Sequence, residues 1–291
     1  MESLAVLILT GNEEKNIGKC LASIAPSGAK TYIVDSLSGD RTVEIAESMG
    51  AIVKLRAWTT HADQFNWGLD NAGINSQWIM RMDADEEMTP ELAAAIHQFL
   101  KNPSADVAGV YFRRRVYFMG QWIRHGGYYP TWLLRLFRNG QGRCESVVMD
   151  EHIIVSRGRT ISIHQDIIDK NNKDLTFWTD KHNKYASLEV REILRKQRLL
   201  AGESLSGQTI KASVTGHQDS AKRWLKDKFY LRIPLFVRPF LYFLYRYFLK
   251  LGFLDGTRGL IFHFLQAFWY RFLVDAKLYE YRLQQRQKTE N

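Results

Sequence analysis

Over roughly the first hundred residues, short apolar runs alternate with stretches whose apolar positions recur every three to four residues. Residues 4–10, 31–34, 52–55 and 78–82 are runs of strand length, whereas 16–24, 41–49, 63–71 and 90–100 carry the spacing of amphipathic helices. Gly50 stands where a helix-terminating glycine is expected, and Thr89-Pro90 supplies an N-cap followed by proline at the first helical position. This alternation predicts a largely parallel sheet covered by helices on both faces. Ligands of such sheets bind beyond the carboxyl ends of the strands, so Asn12-Glu13, Asp35-Ser36 and Asp83-Ala84-Asp85 are the positions to inspect first.

From Val107 the pattern changes to strands and loops crowded with Arg, Trp, Tyr and Gly, running to about Asp166. A strand over 160–163 is expected to end just before His164. Residues 175–197 read as an amphipathic helix, and 201–220 as a polar, Gly- and Ser-containing linker. The remainder is rich in Phe, Tyr and Leu, with Pro234 and Pro239 breaking it near its start.

Composition narrows the class. Apolar residues make up 45% of the chain in short, interrupted segments, which fits a globular domain better than a membrane bundle. Cys20, in an expected helix, and Cys144, in an expected loop, are too few for a disulfide framework or a thiolate metal site, so a reducing cytoplasmic setting is expected. The first ten residues lack a basic segment ahead of their strand-sized apolar run, and no secretory signal is expected there. Charge is unevenly placed: residues 1–220 hold 26 basic and 26 acidic side chains, and residues 221–291 hold 14 and 5, so the whole net charge of +9 lies in the tail. A basic segment interleaved with aromatic and aliphatic residues describes contact with an anionic membrane surface better than with nucleic acid, whose phosphate-tracking partners are more polar.

Three short motifs carry candidate chemistry. Arg81-Met82-Asp83-Ala84-Asp85-Glu86 follows an apolar strand, and two carboxylates spaced by one residue there can share a hard cation, Mg²⁺ or Mn²⁺, that also grips a diphosphate. Thr10-Gly11-Asn12-Glu13-Glu14 follows the first strand; its acids either cap the next helix or face a ligand. Asp35-Ser36-Leu37-Ser38-Gly39-Asp40 offers a strand-end aspartate for a base or ribose, or ordinary turn chemistry. Further on, Trp122, Tyr128 and Tyr129 could stack on sugar rings around His125-Gly126-Gly127, or pack a core under a glycine turn. Arg113-Arg114-Arg115 reads as a solvated face or as part of a site for an anionic acceptor.

In this order and spacing, the three motifs resemble the nucleotide-sugar half of family 2 glycosyltransferases, which have the GT-A fold. The resemblance continues through Gln64-Phe65-Asn66-Trp67-Gly68-Leu69 and through Phe118 to Pro130, a block similar to one in the lipopolysaccharide-core and exopolysaccharide branch. Leu134-Arg135-Leu136-Phe137-Arg138, Asp150-Glu151-His152 and Leu251-Gly252-Phe253-Leu254-Asp255-Gly256 extend it along nearly the whole chain. The implied fold is α/β, a Rossmann-like sheet with helices on both faces, plus C-terminal amphipathic, membrane-associating helices. Residues 1–110 form the nucleotide-sugar half, 111–200 the acceptor half, 201–221 the linker and 222–291 the basic tail.

By the same resemblance, Thr10, Asn12, Glu13, Asp35, Ser36, Gln64, Asn66 and Asp83 line the nucleotide-sugar site. Asp83 and Asp85 hold the metal, with His164 as an added nitrogen ligand or as a structural residue. Asp150 or Glu151, with Glu151 preferred, removes the acceptor proton in an inverting transfer. Trp122, His125, Gly126, Gly127 and Tyr128 meet the acceptor.

The implied acceptor is a lipid-linked or lipid A-core saccharide at the cytoplasmic face of the bacterial inner membrane. A polyprenyl-phosphate sugar synthase is the nearest enzyme alternative, and a nucleotide- or nucleic-acid-binding module or scaffold the non-enzyme one. The charge-free tail run 259–270 is only twelve residues long, short of the roughly 20 needed to span a bilayer, so helices lying in the interface are expected.

Overall fold

The computed structural model describes residues 2–145, 152–200 and 233–290. It forms two compact units, Met1–Trp122 with Tyr128–Asn172, and Ile123–Gly127 with Lys173–Asn291. The expected linker at 201–221, like Asp150 and Glu151, lies outside the described residues.

In the first unit, strands β1 (Glu2–Thr10), β2 (Lys30–Asp35), β3 (Ile52–Leu55) and β4 (Ser76–Asp83) are joined through helices α1 (Ile17–Ile24), α2 (Thr42–Ser48) and α3 (His61–Asn71). All four strands are parallel, in the order β3-β2-β1-β4, as the alternating pattern predicts. Strand β5 (Glu86–Met88) and helix α4 (Pro90–Lys101) come next. They are followed by β6 (Val107–Phe118), β7 (Gln121–Trp122), β8 (Thr131–Arg138), β9 (Gly142–Cys144), β10 (Ile153–Val155) and β11 (Arg159–Asp169). Beyond β4 the sheet continues β8-β6-β11-β5, with β8 antiparallel to both of its neighbours.

The capping chemistry read from the sequence forms as expected. Thr89 Oγ1 accepts the Leu92 amide at 3.1 Å, and Gly50 takes φ +81° just past α2. One apolar layer, with Val6, Ile8, Ile17, Ile24, Met80 and Ile96, lies between the sheet and α1 and α4. The other, with Leu7, Val34, Phe65 and Phe137, lies under α3. Gly68 lets α3 approach closely, because a Cβ there would stand 2.7 Å from Val34 and 3.3 Å from Leu7. Cys144, expected in a loop, is buried in strand β9, paired with Ile153.

Strand β5 explains how the sheet is shaped. It begins three residues after β4 ends, yet pairs with the far side of β11, which places it four strand positions from β4. Three residues reach about 10 Å, whereas four strand spacings in a flat sheet cover about 19 Å. The sheet therefore curls, and the register shift in β11 between Ser162 and Asp166 is one place where it bends. Curling brings the end of β11 back to the turn after β4: the Lys170 amide donates to the Asp85 carbonyl at 2.9 Å, and the Met88 amide to Ser23 Oγ of α1 at 2.9 Å.

The second unit is helical. Helix α5 (Leu175–Leu200) packs on the long C-terminal helix α8 (Tyr270–Glu290) through Ala186, Val190, Tyr270, Val274 and Leu278. Helix α6 (Val237–Leu244) runs into a π-helical turn, Tyr245–Leu249, and α7 (Gly256–His263) into another, Phe264–Trp269. Pro239 sits in the first turn of α6, where its missing N–H costs no helical bond, so the proline starts this helix instead of breaking it. Buried Arg238 pairs with buried Asp275, which also accepts the Phe236 amide at 2.9 Å.

The pentapeptide Ile123–Gly127 belongs to this unit. Asp255 accepts the amides of Arg124 (3.3 Å) and His125 (2.9 Å) and pairs with His125 Nδ1 (2.8 Å), while the Gly126 amide donates to the Lys250 carbonyl at 2.8 Å. Gly126 adopts φ +68°, and a Cβ there would lie 1.9 Å from the His263 ring. His263 is fully buried, and burial, with help from Arg246, lowers its pKa to about 4, so it packs as a neutral ring. Gly126→Ala is therefore expected to destabilise the helical unit by about 2 kcal/mol or more, from backbone strain and overlap together. Thermal melts followed by circular dichroism check this, and an unchanged melt would show that the loop is not seated on His263.

Candidate active site

The structure assembles its polar residues at the carboxyl ends of β1, β2 and β4. Asp35, at the end of β2, is fully buried and accepts three hydrogen bonds: Thr10 Oγ1 at 2.7 Å, the Ser38 amide at 2.7 Å and Ser38 Oγ at 2.6 Å. It thus ties the end of β1 to the loop after β2. Asn12, at φ +57°, closes the same junction, since its backbone amide donates to Ser38 Oγ (2.8 Å) and its side-chain Oδ1 accepts the Gly39 amide (2.9 Å). Ser36 begins that loop, with its amide on the Thr10 carbonyl at 2.9 Å.

Glu13 accepts Asn16 Nδ2 at 2.7 Å, and Asn16 Oδ1 accepts the amide of Asn172 at 2.9 Å, just past β11. Asn171 Nδ2 in turn donates to Asp85 Oδ2 at 2.8 Å. A chain of hydrogen bonds therefore joins the β1 loop, the end of β11 and the acidic turn. The other oxygen of half-buried Asp85 has no partner among the described residues.

Asp83 is differently placed. Arg135 of β8 reaches its Oδ2 at 2.8 Å and Arg81 its Oδ1 at 3.5 Å. The Asp83 amide donates to Glu86 Oε2 at 2.9 Å, and Arg135 also bonds Glu86 Oε1 at 2.5 Å. Burial opposes ionisation of both acids. At Asp83 the attraction of Arg135, Arg81 and His61 outweighs burial and holds the pKa well below the carboxylate range. At Glu86, which is 1% exposed, burial dominates despite Arg135 and pushes the pKa up to about 8.

Two further positions in the nucleotide-sugar set serve the scaffold. Gln64 is buried and donates to the Arg56 carbonyl at 3.0 Å. Asn66 brackets Cys144, donating to its carbonyl and accepting its amide, both at 2.9 Å, and so holds β9 at the entry to the segment containing Asp150 and Glu151.

Oxygen donors at a strand end suit a hard divalent cation, and Asp85, with its second oxygen open among the described residues and Asp83 beside it, is the carboxylate that could hold one. His164 is not brought to them. It lies inside β11, not after its end, with an exposed ring 5.0 Å from Trp132, and no group of three His, Cys, Asp or Glu forms a metal cluster among the described residues. The acceptor positions divide between the units. Trp122 and Tyr128 lie in the sheet unit, whereas His125, Gly126 and Gly127 lie in the helical one, His125 turned to Asp255 and Gly127 beside Arg246.

Arg135, Glu86 and Asn171 stand outside the set derived from sequence. A readable signal existed for Arg135, a lone charge in the apolar run Leu133-Leu134-Arg135-Leu136-Phe137, because buried charges need partners. Asn171 carried no such signal.

A curled mixed sheet with a parallel β1 to β4 half, helices on both sides and an acidic turn after β4 is a GT-A fold. The chain belongs to glycosyl transferase family 2, whose model matches residues 5–159.

Among curated relatives, an uncharacterized glycosyltransferase of Rickettsia felis is 33% identical over 106 residues, 36% of this chain and 37% of that protein. A TPR repeat-containing protein of Synechococcus elongatus is 29% identical over 107 residues, 36% of this chain and 26% of that one. The match thus spans about a third of the length of the first relatives.

Among solved structures, mannosyl-3-phosphoglycerate synthase from Rubrobacter xylanophilus is 14% identical with a TM-score of 0.46, covering 71% of this chain and 77% of that one. Glucosyl-3-phosphoglycerate synthase from Mycobacterium tuberculosis, in complex with Mn²⁺, UDP and glucosyl-3-phosphoglycerate, is 20% identical with a TM-score of 0.34, covering 39% and 44%.

Proposed function

We propose that this protein is an inverting glycosyltransferase that moves a sugar from a nucleotide-sugar, UDP-linked in the first instance, to a lipid-linked or lipid A-core saccharide in cell-surface polysaccharide synthesis. The observation that carries the reading is the acidic turn, with Asp85 hydrogen-bonded to Asn171 and open on its other oxygen, at the carboxyl edge of the family's sheet. Asp85, with Asp83 beside it, would hold a Mg²⁺ or Mn²⁺ ion, which when bound would supply positive charge to a leaving nucleoside diphosphate. Arg81 and Arg135 keep the Asp83 carboxylate ionised and in place. Asp150 or Glu151 accepts the acceptor hydroxyl proton, and Asn66 fixes the strand that leads to them. Calorimetric titration with UDP, GDP and dTDP, with Mn²⁺ and then with EDTA, tests the reading: one nucleotide should bind only with metal. Failure of all three to bind folded protein would sink it.

The site of action in this reading is the cytoplasmic face of the bacterial inner membrane. No helix among the described residues is long and apolar enough to cross a bilayer. The helical unit nonetheless exposes a run of apolar side chains, Phe240 (53%), Phe248 (52%), Leu249 (76%) and Leu254 (55%) among them. Arg246 and Lys250 lie between them in sequence, and Arg258 follows. Large apolar side chains exposed to this degree and interspersed with cations suit an anionic headgroup layer. The full chain is expected to pellet with phosphatidylglycerol-containing vesicles and much less with phosphatidylcholine alone. Leu249→Ser with Phe248→Ser should weaken pelleting at least about tenfold. Competition by DNA, or pelleting untouched by the double substitution, would point elsewhere.

A further inference from the structure

The consecutive arginines of β6 do not form one solvated face. Successive side chains of a strand point to opposite faces, and here Arg114 meets Asp169 at 3.5 Å while Arg113 and Arg115 both close on Asp166. Asp166 is 2% exposed. Arg113 Nε lies 2.9 Å from its carboxylate as an ion pair, and Asp166 accepts hydrogen bonds from Arg113 Nη2 at 3.4 Å, Arg115 Nε at 2.8 Å and the Tyr129 hydroxyl at 2.9 Å. Arg113 Nη2 also donates to the His164 carbonyl at 2.6 Å, and Arg115 Nη2 to Asp166 at 2.5 Å. Among the described residues, Nη1 of each guanidinium has no partner, on side chains 23% and 32% exposed.

Neutralising Asp166 takes one guanidinium, so the second is surplus positive charge, fixed in place by a buried acid. Flat rings surround it. Arg115 lies 4.7 Å from the centre of the Trp122 ring and Arg113 5.6 Å from that of Tyr129, and the two rings meet edge-on at 5.0 Å. Half-buried Trp132 is the direct cross-strand neighbour of Arg113. A guanidinium recognises carboxylates and phosphates through paired N–H groups, and aromatic faces pack against the C–H face of a pyranose. Because both arginines are already held, little ordering entropy opposes binding.

We infer that Arg113 and Arg115, with Trp122, Tyr129 and Trp132, form a subsite for a negatively charged sugar unit of the acceptor, its carboxylate or phosphate taken by the two Nη1 groups. The inference rests on the glycosyltransferase reading and narrows its acceptor to an acidic saccharide.

The test titrates the full chain with glucuronic acid, glucose 6-phosphate and glucose, followed by saturation-transfer NMR, with UDP and Mn²⁺ binding measured in parallel. Glucuronate, glucose 6-phosphate or both should bind at least about tenfold tighter than glucose, and which of them does so separates carboxylate from phosphate recognition. Arg115→Gln should erase most of that preference and Arg114→Gln should keep it, with UDP binding unchanged in both. Trp122→Leu, which leaves Asp166 and its arginines intact, should weaken all three sugars alike and covers the case in which Arg115→Gln does not fold. Equal binding of the three sugars, or a preference that survives Arg115→Gln, overturns the subsite. Loss of UDP binding by the wild-type chain strikes the transferase reading instead.

Discussion

Asp85→Ala should abolish metal-dependent nucleotide binding and lower sugar transfer by about 10²–10³-fold or more, the scale lost when one preorganised group facing developing charge is removed. The effect should be chemical and not structural. Asp85 is half-buried, and its side chain makes a single hydrogen bond, to Asn171, so its loss should cost about 1 kcal/mol of stability. Asp85→Asn separates charge from hydrogen bonding, because an amide oxygen can still accept from Asn171 but no longer offers a carboxylate to a cation. Calorimetry of UDP with Mn²⁺, beside a thermal melt, distinguishes the outcomes. Full nucleotide affinity in Asp85→Ala would remove the acidic turn from the donor site; lost affinity with an unchanged melt would place it there.

How far the chain could be read from sequence differs sharply between its parts. The β1 to β4 half was legible because each buried parallel strand is a short apolar run closed by recognisable caps, so that 52–55 and the helix opened by Pro90 appear where expected. Strand β5 was not. Glu86-Glu87-Met88 has two acids in three residues and becomes a strand only because Asp169, more than eighty positions away, pairs with it. The end of β11 was misplaced for a related reason: half-exposed residues through the register shift give no clean alternation, so His164 reads as a terminus although the strand runs on to Asp169.

At the site, motif spacing marks which residues lie at strand ends but not which neighbours engage them. Asp35, Gln64 and Asn66 are polar residues placed where a ligand could meet them, yet their side chains make protein contacts that hold loops and strands. Asp166 offers no local sign of its burial at all, because the two arginines that permit it lie on a different strand. Pairing across the sheet is the information that a linear pattern lacks.

That same cross-sheet pairing makes Arg135 the residue whose loss should cost most in stability. Its side chain is buried between Asp83 and Glu86 and is held protonated by both. Arg135→Met fills much of the volume but strips buried Glu86 and half-buried Asp83 of their shared partner, an effect of about 3 kcal/mol or more, and should lower the melting temperature of the sheet unit by many degrees.

The pH dependence follows from the two carboxyls. Glu86 has a folded pKa near 8, raised from 4.5 by burial, so the stability it contributes is complete below about 4.5 and declines as pH rises through 8. Asp83 is depressed, so its contribution is present above its ordinary 3.8 and is lost as pH falls through the lower folded value. The wild-type sheet unit should therefore melt at lower temperature at pH 9 than at pH 7. Glu86→Gln, which keeps one acceptor oxygen for the Arg135 guanidinium or the Asp83 amide but has no proton to lose, should flatten that alkaline decline while leaving the acid limb intact. An alkaline slope equal in wild type and Glu86→Gln would mean that Glu86 is ionised throughout, and that Arg135, not burial, sets its charge.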